Sequence, residues 1–130
     1  MNIIFIALGG AIGALLRYYV AVLITKNVIG SFPWPTLTVN LIGSLIIGVM
    51  WGIAEQSNLS VYIKSFIFVG LLGAFTTFST FSLDIFNLIR KNEMETAVMY
   101  AMISVVLGIF MVGGGYFLAK KIIHLINLWF

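Results

Sequence analysis

The chain has 130 residues, a formal charge of only +3, 62% hydrophobic residues and 8% charged residues, where soluble domains carry about 25% charged residues. Too few charges exist to cover a water-facing surface, so the chain reads as one small domain, residues 1–130, embedded in lipid. The lack of cysteine excludes disulfides, thiolate metal sites and thiol nucleophiles, and no basic run with interleaved aromatics offers a nucleic-acid surface.

A hydrocarbon core of roughly 30 Å needs about 20 apolar residues in a helix. Four segments meet that length, at about residues 3–24, 35–54, 61–89 and 96–119, separated by KNVIGSFPWP, EQSNLS and RKNEME. The first, within MNIIFIALGGAIGALLRYY, has no cationic region ahead of its apolar run and no A-x-A cleavage site. It therefore reads as a retained span and not a signal peptide. Arg17, near its end, has two readings: a side chain snorkelling to the interface, or a functional cation. Pro33 and Pro35 suit the start of the second helix, and Trp34 and Trp51 fall near its opposite ends, where interfacial aromatics belong. Every glycine but Gly30 lies inside a span. Gly9/Gly13 and Gly48/Gly52 have the small-xxx-small spacing that lets helices approach closely in lipid. Asn40, inside the second span, either makes an interhelical hydrogen bond or serves a ligand.

The third span differs in kind. It contains GLLGAFTTFSTF (Gly70 to Phe81), and hydroxyl or amide side chains recur at Thr76, Thr77, Ser79, Thr80, Ser82 and Asn87. Gly70 and Gly73 followed by the β-branched pair Thr76-Thr77 weaken helix propensity. This predicts a helix broken near its middle, which survives only where it is buried in protein or lines a cavity. Exposed carbonyls at such a break attract cations, and the N–H groups of a half-helix start attract anions. Phe75, Phe78 and Phe81 are spaced by three, which predicts one stripe of rings. The stripe is either packing or a row of electropositive ring edges beside hydroxyl donors, suited to a small anion. Asp84, the carboxylate of this span, caps, pairs with Arg17 or Arg90, or meets water. On the fourth span Tyr100 and Ser104 share one helical face, and His124 lies beyond it.

Lysine and arginine flanking the spans set orientation. Lys64, Lys120, Lys121 and the amino terminus lie on one side, against Arg17, Lys26, Arg90 and Lys91 on the other. So even a tally permits insertion both ways and pairing of opposite copies. Four short helices also enclose too little volume for a wide pore, which favours an oligomer in any transport role.

Three motifs together are similar to those of the Fluc fluoride channels, also called CrcB proteins. They are G-x-x-G-x-F-T-T-F-S-T-F in the third span, GGxxGAxxRY (Gly9 to Tyr18) in the first and T-x-x-V-N-x-x-G (Thr36 to Gly43) in the second. The resemblance covers essentially the whole chain. It implies an all-α membrane protein of the bacterial inner membrane, assembled as an antiparallel, dual-topology homodimer with two fluoride pathways. It further implies passive, chloride-rejecting export of fluoride and no enzymatic activity. By that similarity Phe78 and Phe81 turn ring edges to the anion, Asn40 is an amide donor, and Ser79 and Thr80 supply hydroxyls. Tyr100 and Ser104 begin a polar track, and Arg17 stands at a vestibule mouth. The carbonyls of Gly73 and Thr76, from both copies, bind a structural sodium ion that is not transported. Gly108 and Val112 follow Ser104 where further hydroxyls are expected.

Two rival readings stand beside this one. A small dual-topology, proton-coupled multidrug exporter needs a membrane-embedded carboxylate, typically in the first span, where this chain has none. A non-transporting membrane subunit would use the polar third span only to glue helices together.

Overall fold

The computed structural model describes residues 2–129, without the side chain of Trp129, and those residues are helical throughout apart from short connections. Four helical segments are long and apolar enough to cross a membrane. The first is α1 (Asn2–Thr25), the second α2 (Trp34–Gln56). The third is a bent 30-residue segment, Val61–Arg90. It comprises α3 (Val61–Lys64), a π-helical stretch (Ser65–Leu72), α4 (Gly73–Phe75) and α5 (Phe78–Arg90). The last is α6 (Met94–Trp129).

Local chemistry sets the boundaries. Pro33 caps α2 and Pro35 occupies its first turn, where a missing N–H costs nothing. Between α5 and α6, Asn92 takes the left-handed conformation with φ 61°. The Glu93 amide then donates to the Leu88 carbonyl at 2.9 Å and the Asn92 amide to Ile89 at 3.0 Å. This is a Schellman closure with asparagine in the place glycine usually takes. The π-helical stretch has no counterpart in the hydropathy pattern. The fourth span is also longer than its apolar run suggests: nothing after Gly115 breaks the helix, and α6 carries 36 residues, about 54 Å at 1.5 Å per residue.

The glycine spacing becomes helix contact. A Cβ on Gly9 would sit 2.9 Å from the Leu71 nitrogen, so α1 lies against the backbone of the π-helical stretch. A Cβ on Gly48 would sit 2.9 Å from the Val112 carbonyl carbon, and Gly115 returns the contact towards Leu45 and Val49, so α2 and α6 touch backbone to backbone. In lipid, where hydrophobic burial no longer drives association, this close approach supplies the packing.

Each end of the bundle has its own fastening. At one end Leu37, Leu88, Ala97 and Tyr100 form a buried cluster joining α2, α5 and α6, and the Ser31 hydroxyl donates to Glu93. At the other, Glu55 accepts from Trp51 Nε1 at 3.0 Å and from the Tyr116 hydroxyl at 2.8 Å. It also pairs with Lys120 at 3.0 Å.

Candidate functional site

Thr76 and Thr77 lie between α4 and α5, and both have extended backbones (φ −81°, ψ 158° and φ −150°, ψ 115°). Asn40, reaching across from α2, holds them. Its Nδ2 donates to the Thr77 carbonyl at 3.1 Å, and its Oδ1 accepts from the Thr77 amide at 2.9 Å. The side-chain amide thus pairs with Thr77 as a neighbouring strand would. Asparagine is the residue for this task, because it carries both a donor and an acceptor at the right reach. One Nδ2 hydrogen remains for another acceptor.

The pairing redirects the local hydrogen bonds. In a continuous helix the Thr77 amide would serve the Gly73 carbonyl and the Thr80 amide the Thr76 carbonyl. Here the first donates to Asn40 and the second to the Thr77 hydroxyl at 3.2 Å. Thr77 thereby caps α5 in the ordinary way. Its Oγ1 also donates to Thr80 Oγ1 at 3.0 Å and lies 3.3 Å from Ser79 Oγ. Thr76 returns its hydroxyl to the Leu72 carbonyl at 2.9 Å, and Ser82 does the same to Phe78 at 3.0 Å.

Beside this junction is a cavity of about 320 Å³. The polar residues Asn40, Ser44, Thr76, Thr77 and Ser104 line it, together with Phe78 and Phe81. The Ser104 hydroxyl is buried and has no hydrogen-bond partner. An unpaired buried hydroxyl is costly, and the residue that carries it belongs to the wall of a space large enough for a ligand. The Phe78 and Phe81 rings are 5.6 Å apart.

The phenylalanine stripe divides. Phe75 is only 5% exposed and belongs to the packing near Gly43, whereas Phe78 is 79% exposed. The extended dihedrals at Thr76 and Thr77 interrupt the helical repeat, so the spacing of three no longer keeps Phe75 in line with the other two. Tyr100, one turn before Ser104, is fully buried and does not line the cavity. Its ring packs on Phe81 at 5.3 Å and edge-on to Phe32 at 5.6 Å. Asp84 takes a long 3.5 Å contact from the Tyr100 hydroxyl, and Arg90 lies over the Phe86 ring. Among the described residues the one ion pair is Glu55–Lys120. Ser79 and Thr80 stand at the start of α5, outside the cavity wall, and Arg17 is half-buried on α1 away from it. Gly73 is exposed at the surface and Thr76 partly so. Sequence reasoning placed Thr77 at the predicted break without giving it a site role, and passed over Ser44. The signal for Ser44 was present: it follows Asn40 by four and so shares its helical face.

Fold and site together define a small, multi-pass helical membrane protein with a polar cleft between its second, third and fourth spans. The chain belongs to the family described as CrcB-like protein, Camphor Resistance (CrcB), whose model matches residues 4–116. Among curated relatives, a protein of Parabacteroides distasonis named fluoride-specific ion channel FluC is 41% identical over 127 residues, covering 98% of this chain and 99% of its own. Proteins of the same name are 45% identical in Shewanella halifaxensis, over 85% of this chain and 90% of theirs, and 40% identical in Flavobacterium psychrophilum, over 93% and 98%.

Proposed function

We propose that this chain is a fluoride-selective channel of the bacterial inner membrane, a conducting protein and not an enzyme, which lets fluoride leave the cytoplasm passively. The observation that carries the reading is the cavity beside Thr77, lined by Asn40, Ser104, Phe78 and Phe81, with Ser104 bearing a buried hydroxyl that has no partner. Fluoride is small and strongly hydrated, so a pathway through lipid must replace water with O–H, N–H and aromatic edges. The cavity offers each kind without a fixed cation that would trap the ion. Export then needs no pump, because an interior-negative potential drives an anion out by about 2.3 kcal/mol per 100 mV.

The functional unit in this proposal is an antiparallel dimer of oppositely inserted copies, with two pathways. The balanced flanking charge supports it. In the same reading Thr76 and Thr77 act as a break between two half-helices, and the Gly73 and Thr76 carbonyls hold a structural sodium ion. Both carbonyls have lost the amide that a continuous helix would supply, and hard oxygen donors suit such a cation. Bound there, sodium would offset the carbonyl dipoles and tie the two copies together. Purified protein in liposomes loaded with potassium fluoride tests the function. Valinomycin should trigger release of fluoride to an electrode and far less release of chloride. Equal chloride release, or fluoride efflux that requires a proton gradient, would sink the proposal.

A further inference from the structure

Cleft and fourth span meet a second space. A cavity of about 560 Å³ adjoins the first and is lined by Ser44, Val105, Gly108, Ile109, Val112 and Gly113. Ser44 and Val105 line both cavities, so the two abut at that pair. They form two rungs between α2 and α6. Asn40 and Ser104 line the first, and Ser44 lies opposite Gly108 on the second, four residues further along each helix, or about 6 Å.

The second cavity is almost entirely apolar. Of its six lining residues, Ser44 alone has a polar side chain. Gly108, which stands one turn after Ser104 on the same face of α6, supplies no side chain. A Cβ built on Gly108 would lie 3.7 Å from Ser44 Oγ, so the Ser44 hydroxyl occupies the space into which a hydroxyl at position 108 would project. An anion leaving Ser104 in this direction would otherwise meet valine, isoleucine and glycine only, and a small hydrated anion does not enter such a surface without a donor.

We infer that Ser44 is a further residue of the conduction pathway, whose hydroxyl receives the anion from the Asn40–Ser104 level and takes the place of the donor that Gly108 lacks. This rests on the fluoride reading. The role is polar and positional: any hydroxyl directed into the same space from either helix serves it.

The last point supplies the experiment. Gly108 has room for a Cβ, its nearest neighbour being Ser44 itself at ordinary van der Waals distance. Wild type, Ser44→Ala and the double variant Ser44→Ala/Gly108→Ser are each purified, checked for a single monodisperse peak, and assayed for fluoride release from liposomes. Ser44→Ala should slow release at least about ten-fold, the scale of one lost hydrogen bond to an ion, and adding Gly108→Ser should restore most of it. If Ser44→Ala does not purify as folded protein, Ser44→Cys, of similar volume but with a weak donor, replaces it under the same criteria. Release at the wild-type rate from the single variant overturns the inference, and so does a loss that Gly108→Ser leaves unrepaired, which would mark Ser44 as packing. Wild-type liposomes that release no fluoride overturn the conduction reading itself, and this inference with it.

Discussion

Asn40→Ala removes the side chain that pairs with Thr77. Two hydrogen bonds are lost, at 3.1 and 2.9 Å, and both partners are main-chain groups of a part-buried residue. On the scale measured for interhelical bonds in membranes, about 0.6 kcal/mol each, the loss is near 1 kcal/mol. On the scale for polar groups left unsatisfied, about 1–3 kcal/mol each, it reaches several. The second scale governs here, because the extended dihedrals at Thr76 and Thr77 turn the Thr77 amide and carbonyl away from a helical ladder. We therefore expect destabilisation of about 2–4 kcal/mol, measured by reversible unfolding in mixed micelles titrated with dodecyl sulfate. Ser82→Ala is the matched control. It removes one hydroxyl that only returns to its own helix at Phe78, and should change stability by less than about 0.5 kcal/mol. Amide exchange gives a second readout, since the Thr77 N–H should be protected in wild type and exposed in Asn40→Ala. An Asn40→Ala protein as stable as wild type, with the Thr77 amide still protected, would refute the reasoning, because the extended pair would then hold without its partner.

The two phenylalanines should separate stability from conduction. Phe78→Ile, at an exposed ring, is expected to leave the unfolding midpoint unchanged while slowing fluoride release. Phe81→Ile also strips packing from Tyr100 and should lower both, and unchanged flux in either folded variant would assign that ring to packing. Glycine substitutions should differ by position. Gly48→Ala forces a methyl into the Val112 backbone and should cost about 1–3 kcal/mol. Gly10→Ala meets nothing within 4 Å and should be neutral or stabilise by about 0.5–1 kcal/mol, so equal unfolding curves for the two would contradict the close α2–α6 contact. Preparing the protein with N-methylglucamine in place of sodium throughout should lower channel activity and weaken dimer association. A cation-insensitive protein would count against a site at Gly73 and Thr76.

How much of this was legible beforehand depended on range. The four spans follow from hydropathy over about 20 residues, and helix contacts at Gly9 and Gly48 follow from a spacing of four, because both properties are local. Asn40 and Thr77 are 37 residues apart, and no periodicity announces their pairing. The stripe expected at Phe75, Phe78 and Phe81 assumed one helical repeat, and two extended residues between the first ring and the others were enough to separate them. Tyr100 shares a face with Ser104, as the spacing implies. Yet its burial depends on Phe32, Phe81 and Leu37, which arrive from other segments. The end of α6 was not legible for the opposite reason: Lys120 and Lys121 end the uncharged run but do not end the helix.

The Glu55–Lys120 pair carries a consequence for the order of events during biogenesis. It joins α2 to α6, so it cannot exist until the last span has been made and has met the second. Insertion acts earlier and counts lysines and arginines singly, with carboxylates weighing little. Lys120 is thus a full charge while orientation is being decided and half of a neutral pair once folding is done. Replacing both partners with apolar residues would leave the net charge of the finished protein unchanged. It would still remove a cation from one side of a tally that stands at three lysines and the amino terminus against four. One of the flanking charges that orient the chain is therefore matched by a carboxylate once the protein has folded.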